Sequence, residues 1–486
     1  MDSVDHTLLT RSATALARWI ARGEERSEEV VSAHIRRIRR VNPDLNALVN
    51  ERFDEALEEA REVDRAVAAA PDGARFPPFY GVPFTVKECI PAAGQPHTSA
   101  LVARRGTIAQ TDAEAVARMR EAGGILLGVS NLSEAGFWIE SVNRVYGRTG
   151  NAYDPRRTSG GSSGGEGALV GSGCTPIGIG SDIGGSIRIP AFFNGVFGHK
   201  PSGGLGSIEG HQPMPNGFAR RYLGIGPLAR HAEDLWPLLE VLAGEREGRA
   251  GGEERLVGDP AGVKLCSLRL LSWTETGMGS VSRELREVQG AWASALVEHG
   301  MNADDTPRLA GFARAFAIWT QCMREAAADV PLRMHLGAGE AINPWKELAL
   351  WSVGRSRHTL PPLIVAAGED LPLVMPRDRQ PVVREMAALR TELNELLGSD
   401  GVLLFPSYAD VAPRHRVPLL RPFQWLYAGL FNILELPVTQ VPLGLGERGL
   451  PLGVQVIAAH GNDALTIAVA GELERLAGGW RPPFEA

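Results

Sequence analysis

At 486 residues the chain is long enough for one large core, or for two or three domains by length alone. Its 44% hydrophobic and 22% charged residues are ordinary for a globular protein, and a net charge of −7 gives no basic footprint, so no nucleic acid is expected as a partner. Four cysteines (Cys89, Cys174, Cys266, Cys322) show no C-x-x-C pairing, which suits reduced thiols in a cytoplasm, and the eleven histidines contain no H-x-x-x-H pair that would announce zinc.

The N-terminal stretch MDSVDHTLLTRSATALARWIARG is broken by charge, so no signal peptide is expected. No apolar run reaches the length of about 18 residues that a spanning helix needs, and no transmembrane segment is expected. Residues 27–41 read as an amphipathic helix. Ser27 is its candidate cap, Glu28 and Glu29 sit in the first turn, Val31, Ile35 and Ile38 form one stripe, and Asn42-Pro43 stops it. Phe53, Ala56, Leu57, Ala60, Val63 and Val67 place a second helix over 51–69, and core packing explains both stripes.

PPFYGVPFTVKECI reads as a turn followed by a strand from Phe84 to Ile90, with Lys87 inside it. An arbitrary strand lysine packs its stem and lifts its ammonium to water. A lysine held in an apolar site instead has its charged form disfavoured and can act as a base near neutral pH. Thr111 and Glu114 form a candidate capping box for a helix running to Gly123, and Ile125–Val129 reads as a buried strand. This strand–helix–strand alternation predicts an α/β fold, with a large, mixed, mostly parallel sheet covered on both faces by helices. Asn131, Glu134 and Trp138 follow the strand end, where ligands tend to bind, and are candidate pocket-wall residues.

Residues 158–206 are rich in glycine and serine, yet Ala168, Leu169, Val170, Ile177, Ile179, Ile183, Ile187 and Ile189 punctuate them. A flexible linker has no use for that pattern. A phosphate cradle wants a cation where Glu166 stands. A serine-hydrolase site accounts for both serine clusters and for the glycines before Ser186. GGSSGGEGALVGSG followed by GSDIGGSIRIPAFFNGVFGHKPS resembles the amidase signature, most of all the fatty-acid amide hydrolase branch and its type 2. RRIRRVNPDLNALV, GVPFTVKE, TDAEAVARMREAGGILLGVSNLSE, SVNRVYGRTGNAYD and GPLARHAEDL are similar to pieces of the same family, so the resemblance is strong over residues 27–243 and loose beyond.

That resemblance implies an amidase-signature fold and a Ser-Ser-Lys triad. Ser186 aligns with the nucleophile, Ser162 with the bridging serine, which in the family precedes a cis peptide bond, and Lys87 with the base. Ser162 lies 24 positions (186 − 162) before Ser186, and its neighbour Ser163 is the residue most easily confused with it. Thr175–Gly180 reads as a central strand, and Ser181–Ser186 as the turn after it, with Ser186 opening a short helix ended by Pro190. The backbone N–H groups of Ile183, Gly184, Gly185 and Ser186 are the expected oxyanion hole, and Gly184 and Gly185 leave the carbonyl unblocked. Asp182 and Arg188 are expected to brace the loop as a charge pair.

Further on, His199 and Lys200 read as structural, and residues 244–262 as a polar surface connection. Helices are expected at 283–300 and 311–328, and a late central strand at 451–459. Residues 340–368 resemble in position an apolar cap over the acyl channel of fatty-acid amide hydrolases, although core packing explains them equally. Trp425, Leu426 and Phe431 lie in another apolar stretch, where core packing is again the default. The expected organisation is one domain: N-terminal helices over 1–70, a signature core over 71–243, and a variable pocket-forming part with late core strands over 263–486.

The resemblance implies hydrolysis of apolar acyl or aryl amides through an acyl-enzyme, with no metal or organic cofactor. Its partner is a small-molecule amide substrate, with room for a homodimer. The constitutive membrane anchor of the animal relatives is not carried over, because its N-terminal segment has no counterpart here. Carbamates (urethanes) or esters suit the same triad. The glutaminase subunit of an amidotransferase would need a polar pocket and partner subunits, and a glycine-loop nucleotide-binding protein stands as the reading from another class.

Overall fold

The computed structural model describes residues 3–217, 219–244, 256–274, 277, 279–326, 330–369 and 380–483. Its strands are β1 (Leu48–Glu51), β2 (Pro83–Lys87), β3 (Ile125–Ser130), β4 (Val142–Asn143), β5 (Gly147–Arg148), β6 (Ile177–Asp182), β7 (Phe197–Lys200), β8 (Gly224–Ala229), β9 (Arg269–Ser272), β10 (Asn302–Ala303), β11 (Gly401–Phe405), β12 (Val438–Leu445) and β13 (Pro451–Ala458). Eleven of them form one sheet in the order β1-β3-β2-β6-β8-β7-β12-β13-β11-β9-β10, and β4 and β5 pair separately.

The sheet is mixed as expected, but it is not mostly parallel: six of its ten pairings are antiparallel and four are parallel. The strand–helix–strand rhythm holds where it was visible, because β3, β2 and β6 run parallel side by side. Elsewhere the chain re-enters the sheet by shorter links, as in the β12–β13 hairpin, and a short link can only join antiparallel neighbours.

Side chains leave β11 alternately for two cores, which shows that both faces are covered. Val402 and Leu404 pack into a cluster with Val469, Ala470 and Leu473 of the helix Asp463–Ala477. Leu403 and Phe405 pack into the other, with Phe312 and with Phe431 of the helix Leu426–Ile433. Phe312, Phe405 and Phe431 meet at tilted or edge-to-face angles with centroids 5.3–6.1 Å apart.

The first amphipathic stripe forms the helix Ser27–Leu45, with Val31, Ile35 and Ile38 buried. Ser27 does not cap it. Its hydroxyl donates to Gly81 O, and Asp64 accepts the Ser27 and Glu28 N–H groups instead. Pro43 lies inside the last turn, and Asn46 ends the helix in the left-handed conformation. The second stripe forms the helix Phe53–Ala69. The helix expected from Thr111 begins only at Glu114, without a side-chain cap, because Glu114 bonds Arg118 one turn later rather than reaching back. The helix after Ser186 runs from Arg188 to Phe193, so Pro190 sits in its first turn, where its missing N–H costs nothing, rather than ending it. The helix expected over 311–328 is formed at Ala315–Ala326, while 327 and 328 lie outside the described residues, as does most of the polar connection at 244–262. No helix among the described residues is long and apolar enough to cross a membrane.

Candidate active site

β2 ends on Lys87 and its neighbour β6 ends on Asp182, so the two parallel strands deliver the lysine and the glycine turn to the same sheet edge. Lys87 Nζ lies 2.6 Å from Ser162 Oγ and 3.0 Å from Ser181 Oγ. The lysine is fully buried and has no carboxylate within ion-pair distance among the described residues. Burial holds its pKa below the ordinary lysine value, against the pull of Cys89, Asp182 and Glu166.

The peptide bond between Gly161 and Ser162 is cis, so the cis bond lies before Ser162 and not after it. Beyond it, the Ser163 N–H donates to Ser186 O at 3.1 Å, which ties the two serine segments together through the backbone. The Ser163 hydroxyl is used elsewhere, donating to Ser181 O at 3.2 Å. Of the candidate triad, Ser186 is the most accessible, 8% exposed against 2% for Ser162 and 1% for Lys87. The most accessible of the three groups is therefore the hydroxyl on the glycine turn.

Asp182 and Arg188 form the expected pair, with Nε–Oδ2 and Nη2–Oδ1 each at 3.0 Å and neither side chain exposed. Burial works to raise the Asp182 pKa, but the charge and hydrogen bonds of Arg188 and the bonds from Asn432 and Gly185 hold it well below the usual carboxylate range. The guanidinium also reaches Gln455 Oε1, Asn432 Oδ1 and Ala428 O, so late elements of the chain grip the turn. Asp182 Oδ1 accepts the Gly185 N–H at 2.7 Å, and Oδ2 accepts that of Ile187 at 3.1 Å.

This corrects the expected oxyanion hole by one donor: Gly185 is already committed to Asp182. The N–H groups of Ile183, Gly184 and Ser186 have no acceptor among the described residues. The two glycines also differ. Gly185 has φ +104°, and a Cβ there would lie 2.7 Å from Ala428 Cβ and 2.9 Å from Ile189 Cδ1. A Cβ on Gly184 would meet only Trp319 and Trp425, at 3.7 and 3.8 Å, which is ordinary contact. These indoles pack edge to face with centroids 4.2 Å apart and wall the space beside the turn. Of the apolar residues singled out from the sequence, Trp425 thus stands near the turn, while Leu426 and Phe431 are buried in the core.

Of the other candidates, Asn131 and Glu134 spend their side-chain oxygens on bonds within the protein. Asn131 is fully buried, and its Oδ1 accepts from the Leu132 N–H and from Asn143 Nδ2. Glu134 is occupied by His358 Nδ1 at 2.6 Å and by both donors of Thr359 at 2.6 and 2.7 Å. Trp138 is half-buried, its Nε1 donating to Glu140 at 3.4 Å and its carbonyl accepting from Ser133 Oγ. The residue that faces Ser162 from this segment is Gly136, where a Cβ would lie 3.6 Å from Oγ. Its neighbour Ala135 packs with Leu101, Leu332, Leu336, Leu363 and Ala366, so the helix Leu360–Gly368 adjoins the site. His199 and Lys200 are buried away from the triad, His199 against Thr439 and Asp463 and Lys200 on Pro201 O.

Residues to which the sequence assigned no part in the site's chemistry surround Lys87. Glu166 is buried, accepts from Thr85 Oγ1 at 2.7 Å, and is pushed up to about 7 by burial. Ser181 sits between Lys87 and His211 Nε2, which lies 2.9 Å away. Only the adjacency of Ser181 to Asp182 hinted at it; His211 carried no signal.

The family model described as Amidase matches residues 29–467. The chain is 42% identical to fatty-acid amide hydrolase 2 of Homo sapiens over 494 residues, covering 99% of this chain and 91% of the human one. It is 30% identical to indoleacetamide hydrolase of Bradyrhizobium diazoefficiens, covering 96% of this chain and 86% of that one. Among solved structures, 6-aminohexanoate cyclic dimer hydrolase superposes with a TM-score of 0.81 at 27% identity, covering 98% of this chain and 99% of that one.

Proposed function

Given that this chain belongs to the amidase family and is an amidohydrolase, we propose that it cleaves carboxylic amides with an apolar acyl or aryl group, through Lys87, Ser162, Ser186 and an acyl-enzyme. The observation that carries the reading is the buried Lys87 amine, 2.6 Å from Ser162 Oγ and with no carboxylate in ion-pair distance among the described residues. A lysine with water or a carboxylate beside it stays charged; this one is held toward the neutral form that can accept a proton.

Neutral Lys87 accepts the Ser162 proton while Ser162 accepts that of Ser186. Ser186 Oγ attacks the carbonyl, and the oxyanion is held by the N–H groups of Ile183, Gly184 and Ser186. Ser162 returns a proton to the leaving amine, and water discharges the acyl group through the same relay. Two indoles beside Gly184, and helices with Trp345, Ile364 and Val365 exposed near the Ala135 cluster, support an apolar substrate over glutamine. Names among the relatives point the same way: one acts on fatty-acid amides and one on an aryl acetamide.

Acyl anilides of increasing chain length, one aryl carbamate and glutamine, offered to wild type and to Ser186→Ala, test the reading. Turnover that rises with chain length and disappears in the variant supports a lipid-amide hydrolase. A preference for short aryl amides or for the carbamate keeps the relay and moves the substrate class. No turnover by wild type, or equal turnover by the variant, refutes the assignment of Ser186.

A further inference from the structure

We propose that His211 is a positioning residue that, acting through Ser181, keeps the lone pair of Lys87 pointed at Ser162. This rests on the reading of Lys87 as the base. A neutral amine has two N–H donors and one lone pair. Two hydroxyls lie within hydrogen-bond distance of Nζ, Ser162 at 2.6 Å and Ser181 at 3.0 Å. For the lone pair to take the Ser162 proton, an N–H must go to Ser181. Ser181 must then accept, and must send its own hydrogen elsewhere.

His211 Nε2, 2.9 Å from Ser181 Oγ, is where that hydrogen goes. A neutral imidazole accepts at Nε2 only if its proton is on Nδ1. His211 Nδ1 lies 2.9 Å from Pro213 O, and a carbonyl oxygen can only accept, so the proton is on Nδ1. Burial pushes the ring down to about 3, so it is neutral in the working range. The bonds therefore run in one sense: Ser162 to Lys87, Lys87 to Ser181, Ser181 to His211, His211 to Pro213.

One donor competes for Nε2. Cys89 Sγ lies 3.3 Å from it and is a protonated thiol, pushed up to about 11 by burial. The hydroxyl is closer and the stronger donor, so it prevails. The other ionisable groups acting on Lys87 are Asp182 and Glu166, and His97 acts on His211. The loop carrying His211 is fastened to the end of β2, with Gln212 N–H on Cys89 O at 3.0 Å and Ser99 Oγ on Gln212 O at 2.7 Å. Without the imidazole, Ser181 can turn and donate to the amine, and Ser162 loses its acceptor.

The test compares His211→Leu, His211→Gln and the double variant Ser181→Ala/His211→Leu in the full chain, by kcat, KM and pH profile on an acyl anilide, with thermal unfolding alongside. His211→Leu should lower kcat roughly tenfold or more, a part of what general-base assistance contributes, with KM nearly unchanged. Its acidic limb should move to lower pH, because Ser181 now stabilises the neutral amine. His211→Gln offers an amide oxygen to Ser181 and should recover most of the rate. The double variant, lacking the hydroxyl that turns, should be faster than His211→Leu alone. If His211→Leu does not fold, His211→Asn replaces it, since its amide can keep the Pro213 bond while giving Ser181 no acceptor. A wild-type pH profile in His211→Leu or His211→Asn, or a double variant no faster than His211→Leu, overturns the inference. If Lys87→Met and Ser186→Ala keep wild-type turnover, it is the triad reading that has failed instead.

Discussion

Substituting alanine at two adjacent glycines should have effects of opposite sign. At Gly185 the backbone has φ +104°, and the new Cβ would lie 2.7 Å from Ala428 and 2.9 Å from Ile189. Holding a Cβ-bearing residue in that region costs about 1–3 kcal/mol, and forcing the methyl into a filled core adds about 1–3 kcal/mol. Gly185→Ala should therefore lose about 2–6 kcal/mol of stability, and its N–H should swing away from Asp182. Gly184 lies outside the left-handed region, and its Cβ would meet only the two indoles at ordinary distance. Gly184→Ala should be neutral or more stable by up to about 1 kcal/mol, through the lower entropy of the unfolded chain. Urea unfolding followed by tryptophan fluorescence reads both, and anilide hydrolysis reports whether Gly184→Ala narrows the acyl chains accepted. Equal losses at the two positions, or a Gly185→Ala protein as stable and active as wild type, would refute the assignment of the turn's rigidity to the Asp182–Gly185 geometry.

Lys87→Met should abolish turnover yet stabilise the fold. The folded pKa of Lys87 lies below its unfolded value of 10.5, so the unfolded chain binds the proton more readily. The penalty is absent above that value, grows as pH falls, and is complete below the folded pKa. The gain in the variant, about 1.4 kcal/mol for each unit of lowering, should therefore be larger at pH 7 than at pH 10.5 in denaturant titrations; a gain that does not vary with pH sinks it. The same sign predicts that kcat/KM falls on the acidic side as Lys87 is protonated. Asp182→Asn leaves the Arg188 guanidinium without its counter-charge in a dry site, and should cost about 3–5 kcal/mol, measured by urea unfolding. Trp319→Ala and Trp425→Ala should leave activity on acetanilide nearly intact while flattening the rise of kcat/KM with acyl length; unchanged chain-length profiles would remove the indoles from the substrate wall.

What could be read from the chain was what lies close together in it. Asp182 and Arg188 fall within seven residues, and their charge pair was expected, whereas the commitment of the Gly185 N–H to Asp182 was not. Lys87 stood out through the two serine clusters and the family resemblance, since a strand lysine alone reads as one that lifts its ammonium to water. Strand direction was less legible: the helices flanking β2, β3 and β6 announce crossovers, whereas nothing in the isolated stretches 197–200 and 224–229 says that they run antiparallel. His211 was silent because its role depends on Ser181, 30 positions away, and on a backbone carbonyl. The internal bonds of Asn131 and Glu134 were illegible for a related reason. Position at a strand end says where a residue is, but their partners, Asn143 and His358, decide which way the polar atoms turn.

The grip of Arg188 on Gln455 and Asn432 has a consequence for how the enzyme is made. Lys87, Ser162 and Ser186 are all translated within the first half of the chain, yet the frame that holds the nucleophile turn is closed by residues from its last tenth and from the helix Leu426–Ile433. A nascent chain that has not passed Gln455 carries the three proposed reacting groups without the full set of bonds that hold Arg188. Hydrolytic competence thus arrives near the end of synthesis, and a ribosome-tethered series of lengths bracketing Gln455 would show it appear in a single step.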